Sequence, residues 1–287
     1  MNSPITRARS FLFVPASRPD RFGKALDSGA DCVILDLEDA VAVDQKVMAR
    51  EQLVAGLNEF TREQLARTLV RINPAGTSWH ESDLHAVSKW TARGMAGAVV
   101  PKAESASTLR STGIALGPAA CLVALIESVA GLDRVAQISG TPQVVRLAFG
   151  HLDFQLDLGM RCGTDERELD VVRFALTAAS RRAMLPAPID GVTVNTTDEE
   201  RLRSDLQRSR AFGFTGKLCI HPKQVEVANE SFSPSAVEVE WARRVLDASR
   251  HRSGQAFSLD GRMIDLPVIR LAELTVAARV LRTRTTL

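Results

Sequence analysis

Eight short apolar runs, alternating with amphipathic stretches of helix length, predict an α/β fold whose parallel strands close into a (β/α)8 TIM barrel. Three observations carry this expectation. A βαβ series places its helices outside a parallel sheet. The 287 residues are close to the roughly 250 that such a barrel takes. Neither GxGxxG nor GxxxxGK[ST] follows an early strand, so the phosphate-cradling loop that would favour a doubly wound open sheet, the runner-up, is missing.

The first strand is expected at SFLFVP (10–15) and the second at CVILDL (32–37), each β-branched or apolar and bounded by turn residues. TLVRIN (68–73), GAVVPK (97–102), CLVALIE (121–127) and VVRLAFG (144–150) follow, then two weaker runs, PIDGVTV (188–194) and KLCIHP (217–222). Helical patterns lie between them, as at 45–60 and 166–184, the latter opening after Thr164 and Asp165 as a cap. After His221 the pattern changes. A helix is expected over 233–251, begun by Ser233-Pro234, then a turn or short hairpin in GQAFSLDGRMIDLP and a helix over 268–281. Residues 1–232 therefore read as the barrel and 233–287 as a C-terminal helical extension, too short and too poor in core residues to fold alone. The tail RTRTTL is expected to fray.

Composition excludes several functions. A net charge of +2, with Lys and Arg scattered, gives no reason to expect nucleic acid. The segment MNSPITRARS has no apolar run that would make a secretory signal, and no apolar stretch is long enough to span a membrane. Cys32, Cys121, Cys162 and Cys219 have no metal-binding spacing. Cys32, Cys121 and Cys219 fall in expected strands, where buried free thiols of a reducing compartment belong. The expectation is a cytoplasmic protein.

The chemistry gathers where strands end. Glu127 and Asp153 each follow a buried run, which places them at the C-terminal edge of the sheet, where barrels and open sheets both hold their ligands. Two carboxylates converging there make a hard oxygen site suited to Mg2+ held with an anionic substrate; the bland alternative is two strand-end charges facing water. Arg71 alternates with Val70 and Ile72, and an inward position spares it burial among the helices without a partner. Arg18 and Lys102 also follow strand ends, as cations for an anionic substrate. Asp36, Glu38 and Asp39 are expected to balance Arg18 and Arg21; the alternatives are that they cap the following helix or bond waters on a metal. His221 reads as a turn residue, and His80, His85, His151 and His251 have no ligand spacing.

In this order, SFLFVPASRPDRFGKAL, ILDLEDAV, VRIN, VPKAES, ALIES, FGHLDFQLDLG, KLCIHPKQV and GRMIDLPV resemble the citrate lyase β-subunit-like family of the HpcH/HpaI aldolase group, over 10–281. The resemblance implies a trimeric or hexameric (β/α)8 barrel that binds Mg2+ through Glu127 and Asp153 and a substrate carboxylate through Arg71. It also implies that the C-terminal segment folds over a neighbouring subunit and delivers Asp265, and that Arg18 and Lys102 lie near the acid or the thioester. One departure stands out: where the family often has Ala-Glu-Asp or Thr-Glu-Asp, this chain has His151-Leu152-Asp153.

The implied reaction is Mg2+-dependent cleavage of a citryl-, malyl- or citramalyl-CoA to an acyl-CoA and a 2-oxo acid through an enolate. Arg71 would stabilise the developing charge and Asp265 would act as acid or base. The competing readings are a metal-dependent aldolase of free 2-oxo acids and a subunit that works only with an acyl carrier partner.

Overall fold

The computed structural model describes residues 3–250, 252 and 255–283. Its eight parallel strands are β1 (Ser10–Pro15), β2 (Cys32–Asp36), β3 (Thr68–Arg71), β4 (Gly97–Val100), β5 (Cys121–Ile126), β6 (Val144–Phe149), β7 (Ile189–Asp190) and β8 (Gly216–Cys219). They pair in chain order, and β1 pairs with β8 to close the barrel, so the closed fold holds and the open sheet does not. Every strand starts within a residue of its expected position. All but the first end earlier than expected.

Alternation along the strands sends one residue in two to the inside. Phe11, Ile34, Leu69, Val99, Val123, Leu125, Ala148, Ile189 and Leu218 pack there as one cluster with Ile5 and Ala8 from the segment before β1. The floor is closed by an unexpected residue. Arg146 of β6, fully buried, donates to the carbonyls of Ala8 (2.6 Å), Ile5 (3.2 Å) and Ala187 (2.9 Å) and to Thr215 Oγ1 (3.0 Å). Burial pulls its pKa down to about 10.

Outside the sheet, the helix Asp170–Arg182 departs from expectation at its start. Asp165 does not cap it but pairs with Arg167 at 2.7 Å. Between them Glu166 takes a left-handed φ of 49° and turns its carboxylate toward Arg173 (2.5 Å), Arg208 (3.0 Å) and Arg201 (3.2 Å). Three charge-assisted contacts outweigh one cap and the backbone strain. Among the cysteines, Cys32 and Cys219 are buried and burial pushes both thiols up, whereas Cys121 is only half-buried.

The chain divides into two compact units, Met1–Asn229 and Glu230–Leu287. In the second, the helix Ala236–Ser249 packs on the helix Leu266–Thr283 beside an antiparallel hairpin of β9 (Phe257–Leu259) and β10 (Arg262–Ile264), around Val245, Ile264 and Ala272. The first of these helices starts later than Ser233-Pro234 suggests, because Ser235 and Glu238 form a capping box. His251, at the end of the expected helix, and residues 284–287 of the tail lie outside the described residues. No described helix is long and apolar enough to cross a membrane.

Candidate active site

The mouth of the barrel is built first from β2 and β3. Asp36 and Arg71 are register partners on these strands, so their side chains share a face. They meet as a fork: Arg71 Nε donates to Asp36 Oδ1 at 2.7 Å and Nη2 to Oδ2 at 2.6 Å. The same carboxylate accepts the backbone N–H groups of Glu38 (2.9 Å) and Ala40 (3.1 Å), which curls the 37–40 turn back over the strand end. That turn brings Glu38 Oε2 within 2.9 Å of Arg71 Nη1, an ion-pair distance without hydrogen-bond alignment, and Asp39 within 3.3 Å. Phe13 stacks on the guanidinium at 4.7 Å. The acidic triplet therefore answers Arg71, not the Arg18/Arg21 pair; Arg18 forks onto Asp20 instead, at 2.7 and 2.9 Å. Register decides this, since only Arg71 shares a face and a level with Asp36. Burial pushes the Glu38 carboxyl up to about 8 against the pull of Arg71. Burial opposes the charge on Arg71, but its three carboxylate neighbours prevail and hold its pKa above the usual arginine value.

Glu127 and Asp153 complete the site. Glu127 follows β5, and its Oε1 accepts the backbone N–H of Lys102 at 2.6 Å. Lys102 has a φ of 45°, a left-handed conformation that a lysine adopts only under constraint, at a strand end facing the site. On the other side Gly150 donates to the Ile126 carbonyl at 2.9 Å. A Cβ on Gly150 would stand 2.5 Å from Glu127 Oε2, so only glycine leaves room for this carboxylate. Gly150 opens the helix His151–Leu158, which carries Asp153 in its first turn, where the helix dipole favours an anion. Glu127, Asp153, Arg71, Asp36 and Asp39 line one cavity of about 320 Å3. Burial pushes Glu127 up to about 7; the Lys102 N–H works against this and the charge of Asp153 adds to it.

This donor set fits a hard divalent cation. Two carboxylates that repel each other in a buried cradle are relieved by a positive ion, and Mg2+-type sites need only one or two carboxylates beside water and substrate oxygens. A closed cage would exclude substrate, and among the described residues no group of three or more His, Cys, Asp or Glu side chains forms one.

The other expected site residues lie elsewhere. Arg18 is exposed and bound to Asp20. Lys102 is exposed, and its recorded contact with the site is through its backbone. Asp265 belongs to the second unit, where Oδ1 accepts the Val268 N–H at 3.3 Å at the start of the last helix. His221 is half-buried and its Nδ1 accepts the Lys223 N–H, as a turn residue does. Sequence reasoning passed over Phe13 and His151, which both line the cavity. The period-two step from Phe11 to Phe13 could have placed the first. His151 gave no signal, because what holds it is a close approach to Gly191, whose Cβ would stand 2.1 Å from His151 Nδ1.

Comparison with known proteins shows the family. A family model described as HpcH/HpaI aldolase/citrate lyase matches residues 9–222. The chain is 38% identical over 272 residues to a citrate lyase subunit beta-like protein of Mycobacterium tuberculosis, covering 92% of each chain. It is 35% identical over 273 residues to a (3S)-malyl-CoA thioesterase of Cereibacter sphaeroides, covering 94% of this chain and 93% of that one. Among solved structures, CitE from Mycobacterium tuberculosis in complex with magnesium, acetoacetate and coenzyme A superposes with a TM-score of 0.82 at 34% identity, over 96% of this chain and 98% of that one. The chain is an enzyme of the HpcH/HpaI aldolase/citrate lyase family.

Proposed function

We propose that this enzyme is a Mg2+-dependent lyase that cleaves a 3-hydroxyacyl-CoA of the citryl, malyl or citramalyl type into an acyl-CoA and a 2-oxo acid. The observation that carries the reading is the convergence of Glu127 and Asp153 on one cavity beside Arg71. Magnesium bound to CitE, and the CoA ester in the name of the 35%-identical thioesterase, support the metal and the thioester.

Glu127 and Asp153 would hold the ion, which supplies positive charge to the carboxylate and hydroxyl oxygens of the acid. Asp36 and the 37–40 turn hold Arg71 in one orientation while leaving some of its five N–H donors for the substrate. Those donors meet the oxygens that gain charge as the bond breaks. Lys102 and Gly150 keep Glu127 in place. Arg18 and Lys102, which follow β1 and β4 on the same barrel end, are the cations we assign to the thioester side. Asp265 is our candidate acid or base, supplied by a neighbouring subunit of a homotrimer or hexamer onto which residues 233–287 would pack.

Turnover of citryl-, malyl- and citramalyl-CoA, with Mg2+ and with EDTA, tests the reading. Metal-dependent release of an acyl-CoA from one of them is expected. Silence across the panel would refer the site to free 2-oxo acids or to a carrier-dependent subunit.

A further inference from the structure

Asp36 aims Arg71, and Asp36 is itself held by the peptide that joins Leu37 to Glu38. In a trans peptide the carbonyl and the N–H point in opposite directions. The Glu38 N–H donates to Asp36 Oδ1 at 2.9 Å, the same oxygen that accepts Arg71 Nε at 2.7 Å. The Leu37 carbonyl therefore faces away from Asp36, and there Lys46 Nζ donates to it at 2.7 Å. Lys46 Nζ also donates to the Glu38 carbonyl at 2.7 Å, which accepts the Val41 N–H at 3.0 Å as well. A continuous chain of hydrogen bonds thus runs from Lys46 through one peptide and Asp36 to Arg71. Each bond in such a chain polarises the next.

The helix that carries Lys46 does not account for its place. Lys46 is the first residue of the helix Lys46–Leu57, the end at which the helix dipole opposes a positive charge. It is only 5% exposed, and a lysine is almost never buried without partners. Besides the two carbonyls, Trp79 covers the ammonium, with its ring centroid 5.6 Å from Nζ. Burial lowers the Lys46 pKa, and the charges of Asp36, Glu38, Asp39 and Asp83 oppose that shift. Three carboxylates face one guanidinium at this edge of the mouth, and Lys46 adds a second positive charge. Among the described residues, those lining the cavity include Asp36, Asp39 and Arg71 but not Lys46. Lys46 reaches the site only through what it holds.

We infer that Lys46 is a positioning residue of this site: by gripping the Leu37 and Glu38 carbonyls it fixes the 37–40 turn, so that Asp36 aims the Arg71 guanidinium into the cavity. The inference rests on the lyase reading above, in which Arg71 meets the oxygens that gain charge. Lys46 touches no reacting atom and carries no proton in the reaction. Loss of its ammonium frees both carbonyls and lets the peptide turn, which takes the orientation from Asp36 and then from Arg71. Glu127 keeps its own supports, the Lys102 N–H and the space at Gly150.

The test is a double-mutant cycle on whichever of citryl-, malyl- and citramalyl-CoA the parent cleaves with Mg2+. Lys46→Met removes the ammonium and keeps an unbranched side chain. It should lower kcat by about 10- to 100-fold, change KM less, and leave the calorimetric Mg2+ affinity as in the parent. Lys46→Arg, which keeps a charge and several donors, should return part of that loss. Once Arg71→Lys has removed the fork onto Asp36, the same Lys46→Met change should cost little, because the group it positions is gone. An equal loss in both backgrounds overturns the inference, as does a loss matched by a fall in the fraction of chains that bind Mg2+. If Lys46→Met does not melt cooperatively, Lys46→Gln, which keeps a donor, carries the same cycle. If the parent cleaves none of the three esters, the lyase reading falls, and crystal structures of the parent and of Lys46→Met decide the placement alone. A displaced 37–40 turn with a broken Arg71 fork supports it; a turn and fork that coincide in the two structures overturn it.

Discussion

A carboxyl pushed up to about 7 still carries its proton over much of the neutral range, so as the proposed ligand Glu127 would take a cation in competition with H+. The direction follows from the shift. The folded pKa is raised, so without metal the protonated form is favoured and its contribution to stability is fully present below the ordinary carboxylate value. That contribution is lost as pH rises through about 7. A metal held by Glu127 would reverse the preference by binding the ionised form. Mg2+ affinity, followed by calorimetry, should therefore weaken steadily as pH falls below about 7, and the melting temperature gained on adding Mg2+ should shrink with it. An affinity flat across that range would show that Glu127 is not a ligand. Glu127→Gln and Asp153→Asn should each weaken Mg2+ binding by more than the roughly 10- to 100-fold that losing an outer hydrogen-bond partner costs. Both should abolish metal-dependent turnover while leaving the circular dichroism of the barrel unchanged. Near-normal turnover in either would remove that residue from the site.

At the scale of elements, what the sequence made legible follows from what shapes a buried strand. Runs such as CVILD and CLVALI announce themselves because both faces of a parallel barrel strand are covered. The places of Glu127 and Arg71 at the barrel mouth were legible because each breaks or ends such a run. The partners of Arg71 were not, because the turn at 37–40 that brings them over it depends on hydrogen bonds to Asp36 from Glu38 and Ala40, and an acidic triplet is equally compatible with a helix cap. Arg146 was hidden for a similar reason. Its apolar neighbours in VVRLAF mark a strand, but its ligands are carbonyls, which carry no sequence signature. Those carbonyls have no substitute if the guanidinium goes. Arg146→Met should therefore cost about 3 kcal/mol or more, from several buried acceptors left unpaired. A lowered urea midpoint at unchanged slope would show it. A midpoint within error of the parent would mean that water or a shift of the 5–8 segment replaces the arginine.

At the scale of the whole molecule, the first unit holds Glu127, Asp153 and Arg71, while Asp265 belongs to the second. If Asp265 serves the site of a neighbouring subunit, each chain carries half of two sites, and the chemistry depends on assembly. Asp265→Asn alone should then lower kcat far more than it raises KM, as befits a group that acts in the transition state. A change confined to KM would instead mark Asp265 as a binding or structural residue. A mixture separates action within a chain from action between chains. Asp265→Asn and Glu127→Gln should each be nearly inactive, and they damage different halves. Unfolded and refolded together, they would form mixed oligomers in which an intact Glu127 from one chain faces an intact Asp265 from another, so part of the activity should return. If Asp265 serves its own chain, every site in the mixture still lacks one residue, and the activity should stay at the level of the two variants even when mass spectrometry finds both chains in one assembly. A return of activity would also make the oligomer a requirement of the chemistry, since a lone chain could not bring both residues to one substrate.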